Sequence, residues 1–463
     1  MNRLTTTSLA ALATLLVSAL PAGVHAEGSQ AKGRRTVPLR EALALANQQG
    51  PDVAAARAQA AVAEAGVYKA WTAWQPDISA GGQFDHTSAP SAFDTGAIAN
   101  ILSVAITNNP LSPAQLTKIG PAKDIVAANS WYGNLQLSQP LLTPQGLFLP
   151  GIARHGAEAA QRGADEVREQ VLLGVARTYY SLQGVEGLVR AAKDLETVSL
   201  RREEEAKAQI KAGTAVELTL LRAQSDTATA RVQIANLEGS RDSLLPVLEA
   251  LVGEPIEPGA PGSEGALAGP SEQSSEPWEN AFSVKSAVAA VKASAGSVDL
   301  DKWLWLPSVA AVAKGNYNSN EGFSGKNTSY DLIVQASIPL YDRGARYAAR
   351  AEDEAKLRQA VANLARARAS ARSAWLGAKA NVASAQASLA QSDAQASLAA
   401  RAQAQVEASY KAGVATSLDL TDADNKKFGA QSGAAQARAA LEIRKAELIA
   451  AEGRLYATTV GAR

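Results

Sequence analysis

Few residues in this chain are placed to do chemistry. Cysteine is absent from its 463 residues and histidine occurs three times, so thiol nucleophiles, thiolate metal sites and disulfides are excluded. His25 falls in an N-terminal apolar leader, His86 in a loop and His155 in a helical stretch, none of them in a metal-ligand cluster. No nucleophile–base constellation or phosphate-cradling glycine loop is present, and the scattered serines and threonines read as solvated helix surface. Catalysis finds no support, and no cofactor or metal is expected. What remains are charges beside two glycines. Asp419 and Asp422 follow Gly413 and lie three apart, on one face of a helix. Thr219 and Arg222 take the equivalent places after Gly213. Read alone, Asp419 is an acid in a first helical turn, favourable beside the helix dipole.

The elements that position these residues are duplicated. The stretch from Lys211 through Gly213, Thr214, Ala215 and Glu217 returns 200 positions later, from Lys411 through Gly413, Val414, Ala415 and Ser417. Each copy interrupts a long Ala-rich helical pattern with a glycine, which supplies a left-handed cap, and then restarts it. Both copies are expected to be tips of helical hairpins, at 211–217 and 411–417. A second landmark recurs at nearly the same offset, Gln139-Pro140-Leu141-Leu142 and Ile338-Pro339-Leu340-Tyr341. Two units in one order make an internal duplication.

Lysine plus arginine number 45 and aspartate plus glutamate 45, a formal net charge of +0. That balance argues against a nucleic-acid binder. Apolar residues make up 46% but aromatics only 5%, which favours long, closely packed helices over a bulky interior. Residues 1–26 read as a signal peptide, with Arg3, an apolar run from Leu9 to Leu20, and Val24-His25-Ala26 before the cleavage point. The apolar run is shorter than the ~20 residues of a spanning helix. If the exported protein enters a membrane, it must do so as strands.

Along the chain, Thr36 to Gln49 reads as a capped short helix, and a second helix runs from Pro51 to about Trp74. The period then switches from 3.6 to 2. Ile78, Ala80, Gly82 and Phe84 alternate with polar neighbours, and alternation resumes at Trp131, Gly133, Leu135 and Leu137 until Pro140. The second unit repeats this at 308–318 and 329–338, ending at Pro339. His86 to Ser130 is expected to be the larger of two surface loops, with residues 319–328 the other. Long helical runs follow, from about Gly151 to Ala212 and Gly344 to Ala412, and return from Glu217 to Leu251 and Ser417 to Tyr456. The divisions are thus a leader at 1–26, a first repeat at 27–252 with strands near 77–86 and 131–139, a linker at 253–279, and a second repeat at 280–463.

Strands of ~10 residues are long enough to cross an outer membrane when tilted. Phe84, Trp131, Tyr317 and Tyr330 fall at one end of them, and Trp71, Trp74, Trp303, Trp305 and Tyr341 flank the other, as the two aromatic girdles of a membrane barrel do. Four strands cannot close a barrel, and an open edge in lipid leaves backbone groups unpaired. Other copies of the chain must complete it. Small residues such as Gly163, Gly174, Gly184 and Gly377 are expected to let the helices approach closely. The fold class is therefore mainly α with a small β part: long helical hairpins and four transmembrane strands per chain in a two-fold repeat.

In this order and duplication the chain resembles the TolC-type outer-membrane channels of bacterial efflux pumps and type I secretion systems. The resemblance is carried by Leu39-Arg-Glu-Ala-Leu-Ala-Leu-Ala, Trp-x-Pro before the strands at Pro76 and Pro307, Pro-Leu-Tyr-Asp-Arg-Gly at 339–344, and the two glycine tips. It covers nearly all of the mature chain. It implies a homotrimer with a shared barrel of four strands per chain in outer-membrane lipid and a helical tunnel through the periplasm. The tips would meet a periplasmic adaptor serving an inner-membrane transporter, with Gly213, Thr214, Ala215, Gly413, Val414 and Ala415 as the contact. Asp419 and Asp422 match the family's gate acids, with Arg222 a further gate candidate; rings of Asp select cations. Crowded like charges would raise some of their pKa values. The rival reading is a soluble periplasmic coiled-coil adaptor or spacer.

Overall fold

The computed structural model describes residues 34–119, 123–260, 276–320 and 326–460. The leader at 1–26, residues 261–275 of the linker and residues 321–325 of the shorter loop lie outside the described residues. The first unit runs β1 (Arg35–Val37), α1 (Leu39–Gln49), α2 (Pro51–Trp71), β2 (Asp77–His86), β3 (Ser91–Phe93), α3 (Thr95–Thr107), α4 (Pro113–Ile119), β4 (Lys123–Val126), β5 (Asn129–Leu142), α5 (Pro144–Lys211) and α6 (Glu217–Val252). The second runs α7 (Phe282–Trp303), β7 (Ser308–Asn318), β8 (Thr328–Ser337), α8 (Ala345–Lys411), α9 (Ser417–Ala451) and α10 (Leu455–Val460), with β6 (Ile256–Pro258) between the two.

The four long strands form one antiparallel sheet in the order β2-β5-β7-β8. Its register sorts the side chains by face, because directly paired residues share a face. Ile78, Leu137, Ala313 and Leu332 line up across all four strands, as do Ala80, Leu135, Gly315 and Tyr330. The opposite face carries Ser79, Gln136, Lys314 and Asp331. The apolar face stands open: Ile78, Leu135, Leu332 and Val334 are all exposed. A soluble sheet buries this face on a core; here no element among the described residues covers it. Phe84 and Trp131 are paired at one end, ring centroids 4.8 Å apart.

Where strand becomes helix, the boundaries differ from the sequence pattern for a physical reason. The alternation was expected to stop at Pro140 and the helix to begin near Gly151. Instead β5 continues to Leu142 through a register shift against β7, and α5 starts at Pro144 with Pro150 inside it. Proline cannot donate to the carbonyl four residues back, which is that of Gly146. The indole N–H of Trp74 donates to that carbonyl instead, at 2.6 Å. Proline is therefore tolerated in the second turn of the helix.

The long helices pack side by side. Along its upper half α5 packs against α2 and α7, and along its lower half against α6 and α9; α8 follows α7 and then α9. Ala-rich faces permit this closeness. A β-carbon on Gly184 would lie 2.9 Å from that of Ala439. Gly163 and Gly377, expected to serve the same purpose, face open space within the chain.

A bulky core lies midway along α5, where Leu39, Leu43, Leu172, Tyr179, Leu248, Ile256, Ile449 and Leu455 are buried together. Residues 35–37 are a strand rather than the start of a helix, pairing in parallel with Ile256–Pro258. The presumed surface linker thus contributes a buried strand. Tyr179 holds both strands, its hydroxyl donating to the Val37 carbonyl at 3.0 Å and accepting from the Gly259 N–H at 2.9 Å. The last helix also divides: α9 ends at Ala451, Gly453 adopts φ +65°, and α10 begins at Leu455. The buried Glu169 accepts from the Tyr456 N–H at 3.2 Å, tying α10 to α5.

Candidate functional site at the hairpin tips

Both tips are built the same way. At the end of α5 the Gly213 N–H reaches the Ile210 carbonyl and the Thr214 N–H the Gln209 carbonyl, each at 2.9 Å. At the end of α8 the Gly413 and Val414 N–H groups reach Tyr410 and Ser409, again at 2.9 Å. This paired pattern is a Schellman motif, which needs a left-handed residue. Gly213 and Gly413 supply it at φ +74° and +76°. Thr214 adds a hydroxyl bond to the Gln209 carbonyl at 3.0 Å. Gly213, Thr214, Gly413 and Val414 are exposed, Ala215 and Ala415 half-buried.

The next helices start differently. α9 opens on a capping box: Asp419 N–H donates to the Thr416 hydroxyl at 3.2 Å, and Thr416 N–H donates back to the Asp419 carboxylate at 2.8 Å. The Thr416 hydroxyl and N–H hold the Asp419 carboxyl below the usual carboxylate range. Asp422 is ion-paired with Lys426 at 2.7 Å. Both acids face one groove of ≈ 930 Å³ between α8 and α9, with Leu398, Val406 and Lys426. They share a face, as their spacing required, and each already has a local partner in the single chain. α6 lacks this box, and its first turn is closed by the Thr219 N–H on the Val216 carbonyl.

Arg222 lies elsewhere. It lines a pocket of ≈ 190 Å³ between the two hairpins with Arg202, Asp226, Tyr410 and Thr421. The geometry therefore does not bring Arg222 together with Asp419 and Asp422 within one chain. Sequence reasoning missed the residues that do join the two hairpins. Arg202 on α5 is ion-paired with Asp424 on α9, the two side chains 15% and 5% exposed. Thr421 on α9 donates to the Asp226 carboxylate on α6 at 3.1 Å and accepts from Arg202 at 3.5 Å. Burial lowers the pKa of the Arg202 guanidinium, while Asp226 acts the other way. The tip also exposes Val216, Leu218, Val414 and Leu418, of which only Val414 was singled out.

An open sheet with one apolar and one polar face, continued by helical hairpins several times longer than a bilayer is thick, defines the class of outer-membrane channel subunits. A family model described as outer membrane efflux protein matches residues 42–254 and 274–454, and the chain belongs to that family. It is a channel protein of the outer membrane with a periplasmic helical domain. Solved structures share the fold. The outer membrane protein VceC from Vibrio cholerae is 16% identical, with a TM-score of 0.68, over 90% of this chain and 96% of that one. The CmeC outer membrane channel of Campylobacter jejuni is 14% identical, with a TM-score of 0.72, over 92% and 90%. The open state of the Neisseria gonorrhoeae MtrE channel is 16% identical, with a TM-score of 0.72, over 90% and 89%. Comparison with curated protein sequences finds no match.

Proposed function

We propose that three copies of this chain join their sheets into one 12-strand barrel and their hairpins into one tunnel, forming the exit duct of a tripartite efflux pump or type I secretion system. The observation that carries this reading is the sheet itself. Among the described residues β2 and β8 each have a single strand partner, and an edge in lipid leaves N–H and C=O groups unpaired at several kcal/mol each. Pairing β8 of one copy with β2 of the next removes every edge. A rod of 68 residues then extends about 100 Å from the barrel, which suits a periplasmic span.

In this arrangement the exposed tips meet a periplasmic adaptor, which links the duct to an inner-membrane transporter. Gly213, Thr214, Ala215, Gly413, Val414 and Ala415 form the contact, with the exposed valines and leucines beside them as its apolar part. Asp419 and Asp422 line the gate, six carboxylates in a ring, and Arg222 faces the groove between the hairpins. The capping bonds of Asp419 keep its carboxyl ionised, which supports a cation-attracting ring. No catalytic step is assigned to the chain. Mass measurement of the purified protein in detergent should give a trimer, and planar-bilayer recording should give a discrete cation-selective conductance. A stable monomer without conductance overturns the reading.

A further inference from the structure

The larger surface loop carries a helix whose amphipathicity is inverted. In α3 the face turned toward its own loop consists of Gly96, Ala99, Asn100 and Ser103, the residues that are buried or half-buried. Asn100 accepts from the Leu111 N–H at 2.8 Å and Ser103 donates to the Asn109 carbonyl at 3.0 Å. A β-carbon on Gly96 would touch the Leu116 side chain at 3.7 Å. The outward face is apolar: Ile98, Ile101, Leu102, Val104 and Ile106 are 42–73% exposed. Residues 95–107 carry no charge, and Asp94 and Lys118 are the only charged residues between His86 and Gly120.

We propose that this face of α3 lies in the outer lipid leaflet, parallel to the membrane plane, as an interfacial anchor of the barrel. The inference rests on the barrel sitting in lipid and adds a second element to its contact. Three observations select lipid. At 13 residues, α3 is about 20 Å long, too short to cross a ~30 Å hydrocarbon layer. Its apolar arc from Val104 through Ile101 and Leu102 to Ile106 spans about 200° at 100° per residue, wider than the ~100° stripe a helix presents to a protein neighbour. The helix is also close in the chain to the membrane contact: β3 begins five residues after β2 ends, just beyond the Phe84–Trp131 pair on the sheet's apolar face. Burial of such a face in the headgroup–acyl boundary is the ordinary resting place of an apolar helix without enough length to span.

The chain contains no cysteine, so single thiols report cleanly. Ile101→Cys and, on the apolar face of β5, Leu135→Cys are each labelled with an environment-sensitive fluorophore and reconstituted as full-length protein into phosphatidylcholine vesicles. Nitroxide-bearing lipid should cut both emissions by about half or more, with little quenching by aqueous iodide. Iodide quenching at position 101 with nitroxide quenching only at 135 overturns the anchor while leaving the barrel intact. Thiol cross-linking of Ile101→Cys between copies, without lipid quenching, overturns it in favour of helices that cover one another. Loss of lipid quenching at both positions overturns the barrel placement itself.

Discussion

The indole nitrogen of Trp74 lies 2.6 Å from the carbonyl oxygen of Gly146, the acceptor that Pro150 leaves without a helical donor. The bond joins the end of the first helical pair to the start of the long rod, at the level where barrel gives way to tunnel. A β-carbon at 146 would sit 2.7 Å from the indole. Gly146→Ala should therefore displace Trp74 and cost about 1–3 kcal/mol, the usual penalty of overpacking. Trp74→Phe should cost a similar amount by leaving a carbonyl unpaired. Thermal unfolding with tryptophan fluorescence reads both, and no change in either variant would show the junction to be slack.

The Arg202–Asp424 pair ties the first hairpin to the second at a buried position. Removing one partner of such a pair strands the other charge, at about 3–5 kcal/mol. Arg202→Met or Asp424→Asn alone should thus raise hydrogen exchange in the first turns of α9. Arg202→Met with Asp424→Leu should restore most of the protection. Equal exchange in all three variants would remove the pair from any account of tip stability.

Asp419 and Asp422 are proposed as gate acids, so their charge should be visible in current. A trivalent cation added on the tip side should block reconstituted channels, because attraction grows with each added charge in a confined throat. Asp419→Asn with Asp422→Asn should abolish the block and weaken cation selectivity. If block and selectivity persist, the constriction lies elsewhere and Asp419 serves as a helix cap alone.

Burial raises the Glu169 carboxyl to about 7, against the opposing pull of the Tyr456 backbone N–H and Arg168, while Asp165 adds to the rise. A folded pKa above the unfolded value of 4.5 means that folding favours the protonated form. That contribution is complete below the unfolded value and is lost as pH rises through the folded one. Glu169→Gln keeps an acceptor for α10 but cannot ionise. Its melting temperature should exceed the parent's at about pH 8 and match it near pH 4. A difference that does not vary with pH would assign the effect to packing.

Val216 and Val414 stand exposed beside the tip glycines. A charge placed there should disfavour an apolar hairpin contact without touching the fold. Val216→Asp with Val414→Asp should weaken binding of the proposed adaptor by about tenfold or more, with the mass of the proposed trimer unchanged. Undiminished binding would move the contact up the hairpin sides.

Strands and tips were legible because each rests on local chemistry: period-2 alternation for the sheet, and a glycine within an Ala-rich run for each turn. Duplication made both readings firmer. The pairing of residues 35–37 with 256–258 was not legible, since three residues carry no period and the partner lies in the segment between the two units. Proline misplaced the start of α5, because its missing donor is compensated by Trp74, far away in sequence. Arg202 and Asp424 hid among many charges on helix surfaces, where only the packing of α5 on α9 shows which of them are buried together. α3 escaped as well, its apolar residues spread too widely to form the narrow stripe that marks a packed helix.

The two free edges of the sheet also govern how the protein is made. A lone chain placed in lipid would expose both β2 and β8, and a pair of chains would still expose one of each, so neither intermediate gains a stable place in the bilayer. For the proposed trimer, insertion is then a step taken by the complete assembly, and its rate should rise steeply with chain concentration, approaching third order when copies are scarce. A subunit damaged along β8 spoils the seam with its neighbour's β2, and one open seam leaves the barrel unclosed. A variant damaged only along β8 should therefore poison co-expressed normal chains, lowering the yield of working channels well below the fraction of normal chains present.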